Sequence, residues 1–500
     1  MLGCAAPRGQ VREGTPDEVN IVKAREGGKK RLFQWRAWSS ETFAQARAQK
    51  KPLLIDGAAE WCHWGHVMDE TTYADPEVGA LLDDAFIAVR VDVDARPDLA
   101  ERYGDWGWPA TVVLSPEAEE LGKYRGYLEP RRMLEILRSA KDLNPESAEA
   151  PPQGILVAEL PLAIAHAKQR LAFFRDPDEG GYGIRKVPIG NNLVWELTSG
   201  DQAHGLFSLK KQRALIDRVW GGIYQYSAAP HWGDPHFEKL LTYQAPNLEA
   251  AALGYAASGD PLLLEDAQLL FRYLTTFLSS DDGGFYVNQD ADLNAHAKDK
   301  PFVDGHVFYA LDDAGRRRLG VPWVDTHVYG FENGLAISAL VTFSRATRSP
   351  EALDRAVKAA VSLLKGHVLD DGSVRHEATS KGPYFLADAA AVCLAFARLG
   401  EATGEVQWRA RAEKVAEKLE AHFSGAPHGA LFDNTADPDA HGVFARRRAS
   451  FTPNVLAARA LNAVGKQGRA QAVLAAFAST ERLDGEMAWL GEFLLAAEGR

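Results

Sequence analysis

The stretch Glu60-Trp61-Cys62-His63-Trp64-Gly65-His66-Val67-Met68 constrains this chain more than any other. An apolar run with strand character, Pro52-Leu53-Leu54-Ile55, stops at Gly57, and the Trp-Cys pair falls where the chain turns into a predicted helix. A cysteine there sits at a helix N-terminus. The unpaired N–H groups of the first turn and the macrodipole favour negative charge at that point, so the Cys62 thiolate is expected to be stabilised and its pKa lowered.

The flanking sequence supplies the rest of a small α/β domain. Ser39 or Ser40 caps a helix that carries Phe43 and Ala46, and Asp75-Pro76-Glu77 opens another with a proline at its first position. Phe86 to Val93 reads as a second strand and Thr111 to Leu114 as a third, followed by a helix from Pro130 to Ala140. This order, with Pro109 directly before the third strand, resembles the thioredoxin fold. The resemblance implies that Pro109 is cis, a minority state for X–Pro bonds, and that its neighbouring backbone faces the thiol.

Five hundred residues exceed what one core accommodates. Residues 1–30 are polar and read as a flexible lead-in, residues 31–140 form the thioredoxin-like domain, and 141–153 are a linker rich in proline and charge. From 154 to 500 the texture changes to long amphipathic windows, with caps at Asp260-Pro261 and Ser349-Pro350-Glu351. Turns of one type recur: Gly221-Gly222-Ile223-Tyr224, Gly283-Gly284-Phe285-Tyr286 and Gly429-Ala430-Leu431-Phe432. Roughly eleven or twelve helical windows fit six hairpins, which predicts an all-α (α/α)6 toroid with its loops around a central funnel.

The formal net charge of −12 leaves no electrostatic footprint for nucleic acid. No apolar run is long enough to span a bilayer, so the chain as written reads as cytoplasmic. Met1-Leu2-Gly3-Cys4 resembles the end of a lipoprotein signal, and a start codon further upstream would make Cys4 a lipidated, membrane-anchoring residue. Of the three cysteines, Cys393 lies in an apolar helical window and reads as core, so no disulfide framework is expected.

Three constellations carry candidate chemistry. In the first, Cys62 is a nucleophile assisted by the helix terminus and by His63 or His66, with Trp61 and Pro109 beside it. Gly65 stands where a dithiol motif places its second cysteine, so redox cycling requires another thiol. Cys62 and His66 share a helical face but supply only two ligands, and neither a metal nor a cofactor is expected. The second is His231-Trp232 with Pro235-His236-Phe237-Glu238-Lys239, where an imidazole or carboxylate serves as acid or base and an indole stacks on a sugar; Tyr243 lies just beyond. The third is Asp290-Ala291-Asp292, two carboxylates that can converge on a ligand.

The strings Trp61-Cys62-His63-Trp64-Gly65-His66-Val67-Met68, Gly107-Trp108-Pro109-Ala110-Thr111, Pro235-His236-Phe237-Glu238-Lys239, Asp290-Ala291-Asp292, Asn333-Gly334-Leu335 and Phe385-Leu386-Ala387-Asp388 resemble the spermatogenesis-associated protein 20 family. The resemblance implies a thioredoxin-like domain fused to a six-hairpin barrel related to N-acylglucosamine 2-epimerases and glycosidases, and adds Asn333 and Asp388 to the candidate binding residues. Two departures stand out: Gly65 replaces the second cysteine of Cys-His-Trp-Cys-His, and Glu332 replaces a tryptophan. The leading expectation is a thiol-based redox or binding role at Cys62, with a disulfide-bearing protein or a small thiol as partner. The alternatives are a carbohydrate-active enzyme using His236, Glu238, Asp290 and Asp292 on a saccharide, and a non-catalytic binding protein.

Overall fold

The structure, a computed structural model, describes residues 33–104, 107–145, 152–297 and 299–500. The lead-in with Cys4 and part of the 141–153 linker lie outside them. Two compact units are present, and neither is one continuous stretch: Met1–Ala150, Asp290–Val303 and Ala436–Arg447 form the first, and the remaining segments form the second.

The first unit is built on a four-stranded sheet. Strands β1 (Leu53–Ala58), β2 (Ile87–Asp92), β3 (Ala110–Leu114) and β4 (Glu120–Arg125) lie in the order β2-β1-β3-β4. β1 runs parallel to β2, pairing Leu53 with Ile87, and antiparallel to β3, pairing Leu53 with Leu114. A central strand covered on both faces needs a continuous apolar run, and Leu53, Leu54 and Ile55 provide it. Helices α1 (Ser40–Gln49), α2 (His63–Thr71), α3 (Pro76–Ala85), α4 (Pro97–Tyr103) and α5 (Pro130–Ser139) flank the sheet. Ser39 caps α1 and Asp75 caps α3, as their sequence signals predict. The sequence reading omitted α4 and β4; α4 is only seven residues long, and β4 alternates Glu, Leu, Gly and Lys at a half-covered edge.

Leu54, Met68, Tyr73, Val78, Leu82, Val113, Met133 and Ile136 form the core of this unit. Arg90 on β2 ties α2 to the sheet: its guanidinium donates to both oxygens of Asp69 at 2.9 and 2.7 Å and to buried Asp56 at 2.8 Å, while lying 4.5 Å over the Trp35 ring. The segment Ala436–Arg447 completes the unit. Asp437 accepts from Arg96 at 3.0 Å, Val443 donates its N–H to Ala118, and Phe444 packs on Trp38 with ring centroids 4.7 Å apart.

The second unit is a closed ring of helices. Gly190–Thr198, Leu241–Ser258, Gly330–Thr347, Leu386–Thr403, Phe451–Ala463 and Gly491–Ala497 pack each on the next, and the last returns to the first. Gln202–Gln212, Pro261–Phe277, Pro350–Gly366, Val406–Phe423, Gln467–Ala475 and Leu160–Phe174 lie outside them, giving the expected six and six. Close approach explains Gly334 and Gly491: a Cβ there would meet backbone atoms of Ala391 at 2.6 Å and Asn192 at 2.5 Å.

The recurrent turns have a common anchor. The fourth residue of three inner helices is an amide that clamps one backbone unit of such a turn. Gln244 accepts from Ile223 N–H and donates to its carbonyl, both at 2.7 Å. Asn333 does the same with Phe285 at 2.8 and 3.0 Å, and Asn454 with Leu431 at 2.7 and 2.9 Å. Each clamp satisfies a buried N–H and C=O that no strand pairs. Among the described residues, no helix is long and apolar enough to cross a membrane.

Candidate functional site

Cys62 is the N-cap residue of α2, in extended backbone conformation. Its carbonyl accepts from the N–H groups of Gly65 at 2.9 Å and His66 at 3.2 Å, so the side chain starts at the positive end of the helix. The sulfur is buried and lies 3.9 Å from the carbonyl oxygen of Trp108, and the Trp108–Pro109 peptide is cis. Gly57 lets the Trp108 indole close over β1, since a Cβ there would stand 3.0 Å from the ring. Trp61 is buried and donates its indole N–H to Asp94 at 2.7 Å, which fixes the turn before the cysteine. Cys62 is disulfide-bonded. This corrects the expectations of a lone thiol and of no disulfide, since a sulfur's partner in space is not confined to the spacing of a motif.

The third constellation belongs to this same unit. The chain leaves the helical ring after Gln289 and forms a loop, Asp290–Val303, closed by paired backbone bonds of 3.0 Å between Leu293 and Val303. Asp290 Oδ1 accepts from the N–H of Asp292 at 2.8 Å, turning Asp290 Oδ2 and the Asp292 carboxylate toward α2. His63 Nδ1 lies 2.8 Å from Asp292 Oδ2, His66 Nε2 lies 3.5 Å from Asp290 Oδ2, and His66 Nδ1 lies 3.7 Å from Asp292 Oδ2. His296 Nε2 approaches Asp290 Oδ2 at 3.0 Å from within the loop, its ring edge-on to His66 at 5.2 Å. Three imidazoles thus face two fully buried carboxylates.

These charges sustain one another. Burial disfavours the imidazolium of His66, but Asp290, Asp292 and the Glu60 carbonyl, 2.9 Å from Nε2, outweigh it and raise its pKa to about 9. Burial pushes the Asp290 carboxyl up, against the pull of His66 and His296. Burial also opposes ionisation of Asp292, yet His63 and His66 hold it well below the usual carboxylate range.

The remaining candidates lie in the ring unit. His236 stacks on Tyr226 with ring centroids 4.2 Å apart, and Glu238 is fully buried. The next residue, Lys239, anchors this loop: its ammonium donates to Asp217 Oδ2 and to the Gly221 carbonyl, both at 2.8 Å, and Arg316 reaches the same Asp217 oxygen at 2.6 Å. His231 is exposed and accepts from Gly233 N–H at 3.1 Å. Trp232 is buried and donates to the Glu179 carbonyl at 2.7 Å, so it braces a turn. Burial raises the Tyr243 phenol above its usual range. Asn333 is the turn clamp described above. Asp388 accepts from Phe331 N–H at 2.7 Å and faces His376 Nδ1 with both oxygens, at 3.0 and 3.1 Å. Asn333 therefore holds loop backbone, and Asp388 caps the first turn of the Gly330–Thr347 helix. The set expected for sugar chemistry divides: Asp290 and Asp292 belong to the first unit, His236 and Glu238 to the second.

Residues 28–142 match the Thioredox_DsbH family, described as "Protein of unknown function, DUF255". The cysteine at the start of α2, the cis proline before β3 and the β2-β1-β3-β4 sheet lie inside that match. The N-terminal unit is a thioredoxin-like domain. The chain is 28% identical over 330 residues to human spermatogenesis-associated protein 20, covering 56% of this chain and 41% of that protein, and the rat protein of the same name is also 28% identical. The alignment thus spans about two fifths of the human relative's length. Thiol:disulfide interchange protein DsbD 1 of Pseudomonas aeruginosa is 33% identical over 103 residues, 19% of this chain and 17% of that one. Among solved structures, a sugar epimerase from a ruminal bacterium aligns at 16% identity and a TM-score of 0.48, covering 64% of this chain and 85% of its own. Cellobiose 2-epimerase from Bacillus thermoamylovorans aligns at 13% identity and a TM-score of 0.46, covering 66% of this chain and 86% of its own.

The sequence reading missed His296 beside the thioredoxin-like domain's α2, and His376 and Glu332 in the ring. His296 had a signal, a third potential ligand six positions after Asp290 in the same loop. In sequence Glu332 stands out only as the residue in place of a tryptophan. It is buried in the first turn of its helix, and burial, tempered by His376, raises its carboxyl to about 7.

Proposed function

We propose that the thioredoxin-like domain carries out thiol–disulfide exchange at Cys62. The observation that carries this reading is the placement of the sulfur at the N-terminus of α2, against the Trp108 carbonyl that precedes cis Pro109. There the thiolate is favoured by the helix terminus, and an extended disulfide-bearing segment has backbone to lie against.

In the reducing direction, the Cys62 thiolate attacks one sulfur of a substrate disulfide. The Cys62–sulfur bond forms as the substrate S–S bond breaks, and the other substrate sulfur leaves as a thiolate. A second thiolate then attacks Cys62 and releases the remaining substrate sulfur. Two electrons pass from the two thiols to the substrate, and Cys62 ends in a disulfide with the second thiol. Because residue 65 is glycine, the second thiol comes from outside the motif. Partners of this site are a disulfide-bearing protein or a small thiol.

The test is the reaction of the reduced, folded protein with an aromatic disulfide, followed by peptide mass. Cys393 is the internal control, because burial raises its thiol to about 12. The reading predicts one rapidly formed mixed disulfide, at Cys62, that is absent in Cys62→Ser. A Cys62 no faster than Cys393, or no faster than cysteine in the urea-unfolded chain, would overturn it.

A further inference from the structure

We propose that His66, Asp290 and His296 form a binding site for a divalent transition-metal ion of the zinc class. This assignment stands apart from thiol exchange, since neither the donors nor the argument involve Cys62.

One nitrogen from each imidazole and Asp290 Oδ2 all lie within 4.8 Å of one another. Zinc bonds of 2.0–2.1 Å in tetrahedral geometry put neighbouring donors about 3.3 Å apart. The carboxylate oxygen lies 3.0 Å from His296 Nε2 and 3.5 Å from His66 Nε2, bracketing that spacing, and the longer separation is poor for a hydrogen bond. Two imidazoles and a carboxylate are a donor set that suits zinc, nickel or iron and is too nitrogen-rich for calcium or magnesium.

The surroundings are those of a ligating group. Asp290 is fully buried, and its other oxygen is taken by the Asp292 N–H, which leaves Oδ2 aimed at the two rings. His66 Nδ1 is buried without a hydrogen bond and faces the Asp292 carboxylate at 3.7 Å, too long for a hydrogen bond as it stands but on the side of the ring where a second carboxylate orients a metal-bound histidine. The Glu60 carbonyl, 2.9 Å from His66 Nε2, accepts a hydrogen bond from the ring N–H when no ion is held and is placed to supply a fourth donor when one is. His296 keeps a third of its side chain exposed, giving an ion access from solvent. The motif offers one of these ligands, His66, and the other two come from a loop more than two hundred residues later that folds back onto α2.

The experiment uses the full-length reduced protein, stripped with a chelator and then titrated with zinc and, separately, with cobalt(II) as a spectroscopic probe. The expected result is one ion per chain, with visible cobalt bands typical of nitrogen and oxygen donors and no sulfur-to-cobalt charge-transfer band. Cys62→Ser should bind unchanged. Asp292→Asn, which removes the charge facing both His66 and His63 while keeping the shape of the side chain, should weaken binding about 10- to 100-fold. His296→Ala, a partly exposed position that leaves the fold intact, should lose the stoichiometric ion, and so should isosteric Asp290→Asn. Absence of stoichiometric binding, equal affinity in His296→Ala and Asp290→Asn, or a thiolate charge-transfer band that disappears in Cys62→Ser would each overturn the assignment.

Discussion

Asp292 Oδ2 lies 2.8 Å from His63 Nδ1, joining the first residue of the helix after Cys62 to one 229 positions further along the chain. Both ends are largely removed from water, the aspartate completely. In a double-mutant cycle of His63→Ala and Asp292→Ala, each single change is expected to destabilise the thioredoxin-like domain. Losing one partner of a buried pair costs about 3–5 kcal/mol at the upper end. The pair itself should show a coupling of about 1–3 kcal/mol. Urea unfolding followed through the domain's tryptophans measures both, and additive losses would mean that the contact contributes nothing.

Local signals made the thioredoxin-like core legible. The caps at Ser39 and Asp75, the apolar run Leu53-Leu54-Ile55 and the cysteine turn each act within a few residues, and each appears where expected. The ring was legible for a similar reason, since a helix facing neighbours writes its period into the sequence. The site was not. His63 and Asp292 were read as parts of separate constellations because nothing local reports that Asp290–Val303 leaves the ring and packs with the first unit. The clamp at Asn333 was equally illegible: the residue stood out only through the family resemblance, and nothing local reports that its amide reaches the backbone of Phe285, 48 positions earlier.

That clamp gives a second prediction. Asn333→Ala leaves the buried N–H and carbonyl of Phe285 without their partner, at about 1–3 kcal/mol for each group left unsatisfied. Asn333→Asp preserves the acceptor for Phe285 N–H. It still turns the donor into a second acceptor against the carbonyls of Phe285 and Tyr329, so it should be no milder. Both variants should lower the midpoint of the ring unit's unfolding while leaving the helical circular dichroism of the folded state unchanged. A midpoint equal to wild type in both would show that the clamp is dispensable.

Glu332 supplies a pH dependence of known sign. Burial raises its folded pKa from 4.5 to about 7, so between these values the folded chain binds more protons than the unfolded one. Its contribution is therefore most favourable below about 4.5 and is lost as pH rises toward 7, by an amount on the order of 3 kcal/mol. Glu332→Gln keeps the shape and removes the titration. The variant should match wild type near pH 4.5 and exceed it in stability at pH 8, the gap opening between those limits. Parallel stability curves from pH 4.5 to 8 would show that the carboxyl does not titrate as its burial implies.

The last prediction concerns the glycine that sets this motif apart. A Cβ built at Gly65 stands 3.8 Å from Cys62 Cβ and 3.7 Å from the Ala59 carbonyl, with nothing nearer. Disulfides span Cβ separations of about 3.5–4.5 Å, so the backbone already has the spacing of a dithiol motif and needs only the second sulfur. Gly65 is also in a helical first turn without a left-handed backbone, so a side chain there is not strained. Gly65→Cys is therefore expected to fold normally and, after reduction and mild reoxidation, to link positions 62 and 65. Non-reducing peptide mapping detects that linkage directly. Turnover of a disulfide substrate with an external dithiol should then rise above wild type, because the resolving thiol no longer has to arrive from outside the motif. A variant that folds but does not form the 62–65 linkage would mean that the Cys62 sulfur points away from the helix face on which a resolving thiol must stand.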